Sequence, residues 1–220
     1  HFFGSAQDHK RVGEGDTGPN TGGMGSFAPV DSVDSVLMSR ILNEILQPIV
    51  NALSSLGSPY RGLLYAGVML TSDGPKVLEC NARFGDPETQ VVLSLLKTDL
   101  MDLLDAVVAH QLDTIPAIEW HEGAAVCVVL ASGGYPGRPD VGKTIHGIKE
   151  TGNINAVNVF HAGTKMTDTG LTTAGGRVLG VTAIGSDHKA ARAKAYAAAA
   201  RIAFDGMQYR KDICHEGVEI

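Results

Sequence analysis

Two metal-competent side chains interrupt an apolar run that is otherwise typical of a buried strand. Glu79 and Asn81 lie in the stretch VLECNARFGDPE, residues 77–88. Alternate residues of a strand face the same side, so this carboxylate and this amide would project together. Their oxygens suit Mg²⁺, which takes its other ligands from water and substrate phosphates. The pair predicts the metal site of a nucleotide-dependent enzyme; the alternative is the solvated face of a half-exposed hairpin.

Three charged residues follow within one turn-like segment. Arg83 is suited to bidentate binding of a phosphate or carboxylate. Asp86 has an alternative role as the N-cap of a helix whose first position is Pro87. Glu88, in the first turn of the same helix, has the alternative role of complementing the helix dipole. These structural roles are compatible with ligand contacts, so all three charged residues remain candidates.

Residues 12–25 are rich in glycine and have no apolar period, which predicts a loop. Within it, GPNTGGMG at residues 18–25 offers successive backbone N–H groups with little steric bulk. Such loops cradle anions. The pattern is neither GxxxxGK[ST] nor a GxGxxG motif after a strand, and a flexible surface loop is the alternative. The candidate ligand-binding residues of this stretch are Asn20, Thr21, Gly22, Gly23 and Gly25.

The charged stretch QDHKR, residues 7–11, lies just before this loop. Lys10 and Arg11 would supply positive charge, and Asp8 could bind a cation or an amine. A solvated charge run is the alternative reading. His161 and Arg177 are weaker candidates that could reach a ligand from the C-terminal half. The sequence has no GxSxG nucleophile motif.

The elements that must position these residues follow from periodicity. The apolar spacing from Asp31 to Leu56 predicts a helix, capped by Asp31 or Ser32, kinked at Pro48 and ended by Gly57. Residues 62–70 and 75–80, around the turn TSDG, predict a β-hairpin. A second helix is predicted from the Asp86–Pro87 start to about His110.

Beyond a plausible boundary at residues 111–123, the pattern changes to short strands separated by glycine-rich turns. This change predicts a small α+β domain with an antiparallel sheet. The predicted domains are residues 1–118 and 119–220. The predicted strands lie at 124–132, 144–148, 157–163, 171–173 and 177–185, and an alanine-rich helix at about 187–204.

Composition and charge limit the classes of protein to which this chain can belong. The 220 residues carry a formal charge of −6, which gives no electrostatic footprint for nucleic acid. No apolar run reaches the ~20 residues of a membrane span. The three cysteines are far apart and indicate a reducing compartment rather than a disulfide framework. The start HFFGSAQDHK has neither signal-peptide architecture nor an initiator Met, which predicts a processed product or a fragment.

Five stretches together resemble one enzyme family. In chain order they are QDHKRVGEGDTGPNTGGMG, YAGVML, VLECNARFGDPETQ, HAGT and GGRVLGVTA. From Gln7 to Ile213 the sequence resembles the glycinamide ribonucleotide synthetases, also called phosphoribosylamine–glycine ligases, of the ATP-grasp superfamily. The implied α+β fold is the C-terminal half of an ATP-grasp domain, an antiparallel sheet with helices, followed by a small α+β C-terminal domain.

The resemblance also implies a reaction and its residues. ATP-dependent ligation of glycine to 5-phosphoribosylamine, through an acyl phosphate, belongs to cytoplasmic de novo purine biosynthesis. Glu79 and Asn81 would then bind Mg²⁺ or Mn²⁺ and bridge it to ATP. The implied catalytic residues are Asp8, Lys10 and Arg83. Those implied to bind substrate or phosphate are Asn20, Thr21, Gly22, Gly23, Gly25, Asp86 and Glu88.

Both ends depart from the family pattern. Few residues precede QDHKR, HFFGS differs from the usual lead-in, and CHEGVEI departs from the expected continuation. The chain is therefore expected to be a C-terminal portion that cannot turn over alone. In fungi and animals, similar regions are fused to further purine-synthesis domains.

Two other functions remain open on the sequence. One is an ATP-grasp ligase acting on another acid and amine, against which QDHKR and GGMG argue. The other is a non-catalytic nucleotide-binding or interaction module that retains the fold. An interaction module should be indifferent to Glu79→Ala, whereas metal-dependent nucleotide binding by a ligase should collapse.

Overall fold

The computed structural model describes residues 2–215, so most of the stretch CHEGVEI, for which a departure from the family pattern was expected, lies outside the described residues. Helices and strands follow one another in a mixed order within this range. The strands are β1 (Gln7–Asp8), β2 (Arg11–Gly13), β3 (Thr17–Asn20), β4 (Gly25–Ala28), β5 (Tyr65–Thr71), β6 (Gly74–Asn81), β7 (Ala124–Ala131), β8 (Val157–His161), β9 (Thr164–Thr167), β10 (Gly170–Thr173) and β11 (Arg177–Gly185). The α-helices are α1 (Ser35–Ile41), α2 (Gln47–Ser55), α3 (Glu88–Leu95), α4 (Leu100–Ala109), α5 (Ile148–Thr151) and α6 (His188–Ala199).

The chain divides into two compact units, each built from separate segments. The hairpin unit, named for β5 and β6, comprises His1–Phe3, Asp31–Gly85 and Leu96–Trp120. The sheet unit comprises Gly4–Val30, Asp86–Leu95 and His121–Ile220. The domain boundary at residues 118 and 119 stays a prediction.

A five-stranded antiparallel sheet, in the order β1-β4-β7-β11-β8, forms the centre of the sheet unit. Its three long C-terminal strands confirm the predictions at 124–132, 157–163 and 177–185. The prediction of a continuous loop at residues 12–25 is wrong, because β2 pairs with β3 inside it and β4 begins at Gly25. Backbone pairing needs no apolar period, which is why the pattern did not reveal these strands.

Strand β7 is buried at every residue because helices cover both of its faces. Val126, Val128 and Leu130 join the core cluster that contains the small alanines of α6. Helix α3 contacts the same strand, and its Gln90 lies near Cys127 on the alternate face. Burial on both faces explains why β7 reads as a continuous apolar run rather than an alternating one.

The strand predicted at residues 144–148 is wrong. Thr144 and His146 form only isolated bridges, to Thr172 and Ala203. Gly147 adopts a φ of 86°, a left-handed conformation, and a Cβ there would collide with the carbonyl oxygen of Arg201. This turn interrupts extended pairing, and α5 begins at the next residue.

The hairpin unit confirms the predicted β-hairpin. β5 and β6 pair antiparallel, from Tyr65 opposite Asn81 to Thr71 opposite Gly74. The expectation of a buried strand is wrong, however, since Val77, Leu78 and Cys80 are exposed. The two strands form a sheet of their own among the described residues, with no third strand paired to either edge.

The helix predicted from Asp31 to Leu56 begins later and is divided near Pro48, as expected. Asp34, rather than Asp31 or Ser32, caps α1 by accepting a hydrogen bond from the N–H of Leu37 at 2.7 Å. A π-helical turn, Leu42–Leu46, separates α1 from α2. Pro48 lacks an N–H, and the wider turn before it accommodates the lost donor. Gly57, at φ 78°, follows the end of α2.

The single helix predicted from Asp86 to His110 is two helices. α3 ends at Leu95, and the next residue, Leu96, forms a β-bridge with Trp120. Asp99 then caps α4 by accepting a hydrogen bond from the N–H of Met101 at 2.8 Å. The apolar spacing continues across the break, so periodicity alone did not reveal it.

Two negative findings concern the described residues only. Across residues 2–215, no helix has the length and apolar character that crossing a bilayer requires. In the same range, Cys80, Cys127 and Cys214 form no disulfide. Burial raises the pKa of the Cys127 thiol to about 12, so this cysteine packs as a small protonated side chain.

Candidate functional site

The QDHKR and TGGMG stretches lie side by side in the sheet unit. β1 pairs with β4, which places Asp8 opposite Ser26. The pairing continues beyond the strands, since the N–H of His9 donates to the carbonyl oxygen of Gly25 and the N–H of Met24 to that of His9, both at 2.9 Å. The structure therefore brings together two of the stretches that sequence analysis singled out.

Thr21 closes the glycine loop onto the QDHKR stretch. Its N–H and its hydroxyl both donate to the carbonyl oxygen of Lys10, at 2.7 and 2.8 Å. The same hydroxyl oxygen accepts a hydrogen bond from the N–H of Gly23 at 2.9 Å. The loop at Gly22 and Gly23 is thus a defined turn and not a flexible surface segment.

The carboxyl group of Asp8 is enclosed beneath this turn. Its side chain is 7% exposed, and Lys10 Nζ lies 2.7 Å from Oδ2 as an ion pair. Within residues 2–215, Oδ1 is buried without a hydrogen-bond partner. A Cβ at Gly23 would lie 2.7 Å from Oδ1 and would collide with Cδ of Pro87. Gly23, at φ 121°, is therefore required for the close approach to Asp8.

Burial is the main cause of an unusual pKa at this site, that of Asp8. Together with the nearby charge of Glu88, it raises the pKa of Asp8 to about 7. The ion pair with Lys10 and the charge of Arg177 oppose this rise. A carboxyl group with a pKa near neutrality, next to a glycine loop, is a functional-site candidate on physical grounds.

Asp86 links helix α3 to the same cluster. Its Oδ1 accepts a hydrogen bond from Gln90 Nε2 at 3.0 Å, and its Oδ2 forms an ion pair with Arg177 Nη2 at 3.2 Å. The role of Asp86 as N-cap of α3 stays a prediction beside these side-chain contacts. The following residue, Pro87, accepts a hydrogen bond through its carbonyl oxygen from the hydroxyl of Ser26 at 2.8 Å.

Two side chains from beyond residue 130 reach the glycine loop. Arg177 Nη1 donates to the carbonyl oxygens of Gly22 and Asp86, at 2.8 and 2.6 Å. The hydroxyl oxygen of Tyr135 accepts a hydrogen bond from the N–H of Gly22 at 2.8 Å. Sequence analysis named Arg177 only as a weak candidate and missed Tyr135, because neither belongs to a local motif that includes the loop.

Glu79 and Asn81 lie in the hairpin unit, near the end of β6. An irregularity in the register precedes Glu79, and the pairing is regular from Glu79 to Asn81, so their side chains share one face. Gly67 lies opposite Glu79, and a Cβ there would lie 3.0 Å from Cγ of Glu79. The missing side chain at Gly67 leaves room for the Glu79 carboxylate to lie across β5.

The remaining predicted residues occupy varied positions. In the hairpin unit, Arg83 donates to the carbonyl oxygen of Phe84 at 2.9 Å. Asn20 is exposed at the end of β3, whereas Glu88 is buried at the start of α3. His161 lies at the end of β8, where its Nδ1 is 3.1 Å from the hydroxyl of Thr164. Residues 2–215 contain no cluster of three or more His, Cys, Asp or Glu that could hold a metal ion.

Two family models match the chain in succession. The first, described as "Phosphoribosylglycinamide synthetase, ATP-grasp (A) domain", matches residues 1–89. The second, described as "Phosphoribosylglycinamide synthetase, C domain", matches residues 125–216. These two matches place the chain in the ATP-grasp class of ligases. Within that class, the chain belongs to the phosphoribosylglycinamide synthetase family, as the resemblance predicted.

Individual relatives give the same result. The phosphoribosylamine–glycine ligase of Synechocystis is 51% identical over 97% of this chain and 51% of its own length. That of Caldanaerobacter subterraneus is 49% identical over 95% of this chain and 49% of its own length. The crystal structure of the Thermotoga maritima enzyme superposes with a TM-score of 0.76 at 37% identity, covering 96% of this chain and 51% of that protein. The chain spans about half the length of the curated relatives it matches.

Proposed function

We propose that the protein of which this chain is part ligates glycine to 5-phosphoribosylamine at the expense of ATP, in purine biosynthesis. The observation that supports this most strongly is 51% identity over 97% of the chain to a phosphoribosylamine–glycine ligase. The buried carboxyl group beneath a glycine loop, within the segment matched by the ATP-grasp model, agrees with a ligase site.

The chemistry requires activation of a poor acyl donor. The glycine carboxylate attacks the terminal phosphate of ATP and releases ADP. The amine of phosphoribosylamine then attacks the acyl carbon of the resulting acyl phosphate and releases phosphate. Such phosphoryl transfer depends on positioning and charge neutralisation more than on a protein nucleophile. We assign Arg83 and Lys10 to charge neutralisation, and the loop from Asn20 to Gly25 to binding of substrate or phosphate.

Glu79 and Asn81 fit the requirements for a divalent cation. They share one strand face, and Asn81 buries its Nδ2 atom without a hydrogen-bond partner within residues 2–215. The unpaired Nδ2 is a donor, so it would bind an acceptor such as a phosphate oxygen while Oδ1 would bind the cation. Two hard oxygen ligands are the number that Mg²⁺ commonly takes from a protein when it also binds nucleotide phosphates. Mg²⁺ or Mn²⁺ would supply charge neutralisation there.

Asp8 is the residue we assign to proton exchange. Its pKa of about 7 means that Oδ1 can hold or release a proton at physiological pH. Displacement of an acyl phosphate by an amine releases a proton, so a carboxyl group poised near neutrality suits this step. Asp86 and Glu88, which flank Pro87, are assigned to the substrate-binding part of the same cluster.

The cellular setting is part of the proposal. Thiols at three separated positions, with no disulfide among the described residues, support a reducing compartment such as the cytoplasm. The proposed small-molecule substrates are glycine and phosphoribosylamine, with neither nucleic acid nor membrane as a partner. Fusion to further purine-synthesis domains remains part of the hypothesis.

Metal-dependent nucleotide binding tests the proposal against an interaction module. We expect ATP to bind the chain more tightly with Mg²⁺ than without it, as measured by isothermal titration calorimetry. Glu79→Ala should weaken the Mg²⁺-dependent binding at least about tenfold, because a charged ligand is lost. Glu122→Ala, at an exposed position of the sheet unit, is the matched control and should bind as the parent does.

The outcome against the proposal is equally concrete. If Glu79→Ala and Glu122→Ala bind ATP equally well with Mg²⁺, Glu79 is not a metal ligand. If the parent chain binds no nucleotide under any metal condition, the interaction module becomes the better reading. Separately, formation of ADP that depends on both glycine and phosphoribosylamine would show that these 220 residues turn over alone, against the expectation from the sequence.

A further inference from the structure

The peptide groups on both sides of Gly22 are held by side chains. The N–H of Gly22 donates to the hydroxyl oxygen of Tyr135, and its carbonyl oxygen accepts from Arg177 Nη1, each at 2.8 Å. Tyr135 and Arg177 lie in the segment matched by the C-domain family model, whereas Gly22 lies in the segment matched by the ATP-grasp model. The C-domain segment therefore sets the conformation of the glycine loop.

Arg177 contacts two chain segments at once. Besides Gly22, it binds Asp86 through both the carbonyl oxygen, at 2.6 Å, and the carboxylate, at 3.2 Å. A Cβ at Gly22 would lie 3.0 Å from Cζ of Arg177, so the guanidinium lies directly against the loop backbone. A planar fork of donors can serve these three acceptors together, whereas a lysine ammonium has a different geometry.

Tyr135 is itself fixed in place. Its ring lies against Gly176, where a Cβ would collide with ring atom Cδ2. Its carbonyl oxygen accepts a hydrogen bond from Gln208 Nε2 at 2.9 Å. The packing of the ring and the hydrogen bond to the backbone therefore hold the hydroxyl of Tyr135 in position beside Gly22.

The residue after this clamped peptide encloses Asp8. Gly23 approaches Oδ1 of Asp8 so closely that no side chain fits between them. The charged groups that act on Asp8 are Glu88, Lys10 and Arg177. Movement of the Gly22 peptide would move Gly23 and admit water to the carboxyl group.

We propose that Tyr135 and Arg177 are positioning residues for the ligation: by holding Gly22 they keep the glycine loop closed over Asp8. This inference rests on the proposed function for its role in ligation. The clamp itself can be measured without any substrate, so its failure is distinguishable from failure of the proposed function.

Nuclear magnetic resonance of the chain tests the clamp. Tyr135→Phe removes the acceptor for Gly22 and leaves all charges unchanged, and Tyr209→Phe makes the same chemical change elsewhere in the sheet unit. We expect about three- to tenfold faster exchange of the Gly22 and Gly23 amides in Tyr135→Phe, as for loss of one hydrogen bond. The pKa of Asp8, followed through its carboxyl carbon, should fall from about 7 towards its ordinary value as water enters.

Arg177→Lys tests the second arm of the clamp with the charge retained. It should also speed exchange at Gly22 and lower the pKa of Asp8, whereas Arg138→Lys at an exposed position should change neither. Parent-like exchange and an unchanged Asp8 pKa in both Tyr135→Phe and Arg177→Lys would overturn the proposal. If the clamp variants behave as expected but glycine added to the parent chain leaves the loop resonances unmoved, the assignment of the loop to glycine ligation is overturned and the clamp stands.

Discussion

Strands β6 and β7 have equal length and contrasting surroundings. Each contains eight residues and an apolar run. Every residue of β7 is buried, between α3 on one face and α6 on the other, whereas Leu78 of β6 is 64% exposed. The difference shows that an apolar run fixes the strand, while its burial is set by the elements that pack against it.

The two candidate sites differ in the same way. Asp8 is buried beneath Gly23 and paired with Lys10, and this burial is the main reason that its pKa is raised. Glu79 lies exposed on a two-stranded hairpin and owes its orientation to strand alternation and to the space at Gly67. One site depends on tertiary enclosure, and the other mainly on local geometry.

The largest expected effect on stability comes from truncating one leucine on each of the two strands. Leu130→Ala should lower the free energy of unfolding by about 2–5 kcal/mol, because it leaves a cavity in the sheet-unit core. Leu78→Ala should lower it by less than about 0.5 kcal/mol, since most of that side chain is exposed. Urea unfolding followed by circular dichroism measures both, and similar losses in the two variants would contradict the contrast.

Replacing each of two glycines with alanine is expected to have an effect of intermediate size on stability. Gly23 and Gly62 adopt similar φ values, 121° and 115°, but only Gly23 has atoms close to a would-be Cβ. Gly62→Ala should cost about 1 kcal/mol through backbone strain alone. Gly23→Ala should cost about 1–3 kcal/mol more, because it collides with Pro87 and Asp8.

The measurement for the glycine pair is the urea midpoint of each variant against the parent. Equal losses would mean that the loop has room to shift away from Asp8. That result would also weaken the view that Gly23 encloses the carboxyl group.

The third expected effect differs from the other two in sign, since it is a gain in stability, and it depends on pH. The pKa of Asp8 is raised from 3.8 to about 7, so between these values the folded state binds more protons and stability falls as pH rises. Asp8→Asn removes this penalty and should stabilise the protein by up to about 4 kcal/mol above pH 7, with the gain vanishing below pH 4.

Asp105→Asn is the control for that gain. This aspartate is exposed on α4, and its replacement should change stability little at either pH. Thermal unfolding at low and neutral pH gives the comparison. A gain in Asp8→Asn that is the same at both pH values would show that Asp8 does not titrate with a raised pKa.

Much of the fold could be predicted from periodicity. The β5–β6 hairpin, the strands β7, β8, β10 and β11, and helix α6 lie close to their predicted positions. The break between α3 and α4 could not be predicted, because the bridge between Leu96 and Trp120 joins residues that are distant in sequence. β1 to β4 escaped prediction because their pairing relies on backbone groups that every residue carries.

The candidate site was only partly predictable. The stretches QDHKR and TGGMG stood out through residue type, and the structure shows that they pair. Arg177 stood out weakly and Tyr135 not at all, since each reaches Gly22 from more than 100 residues away along the chain. The roles of Glu79, Asn81 and Arg83 in binding metal and phosphate stay predictions.

The sequence by itself determined the family, the principal strands and the common face of Glu79 and Asn81, because motifs, periodicity and strand alternation are local properties. Only the tertiary structure decided that β6 is exposed, that Asp8 is enclosed, and that Tyr135 and Arg177 hold the glycine loop. Burial and electrostatic environment are sums over neighbours in space, and neighbours in space become known only when distant segments pack together.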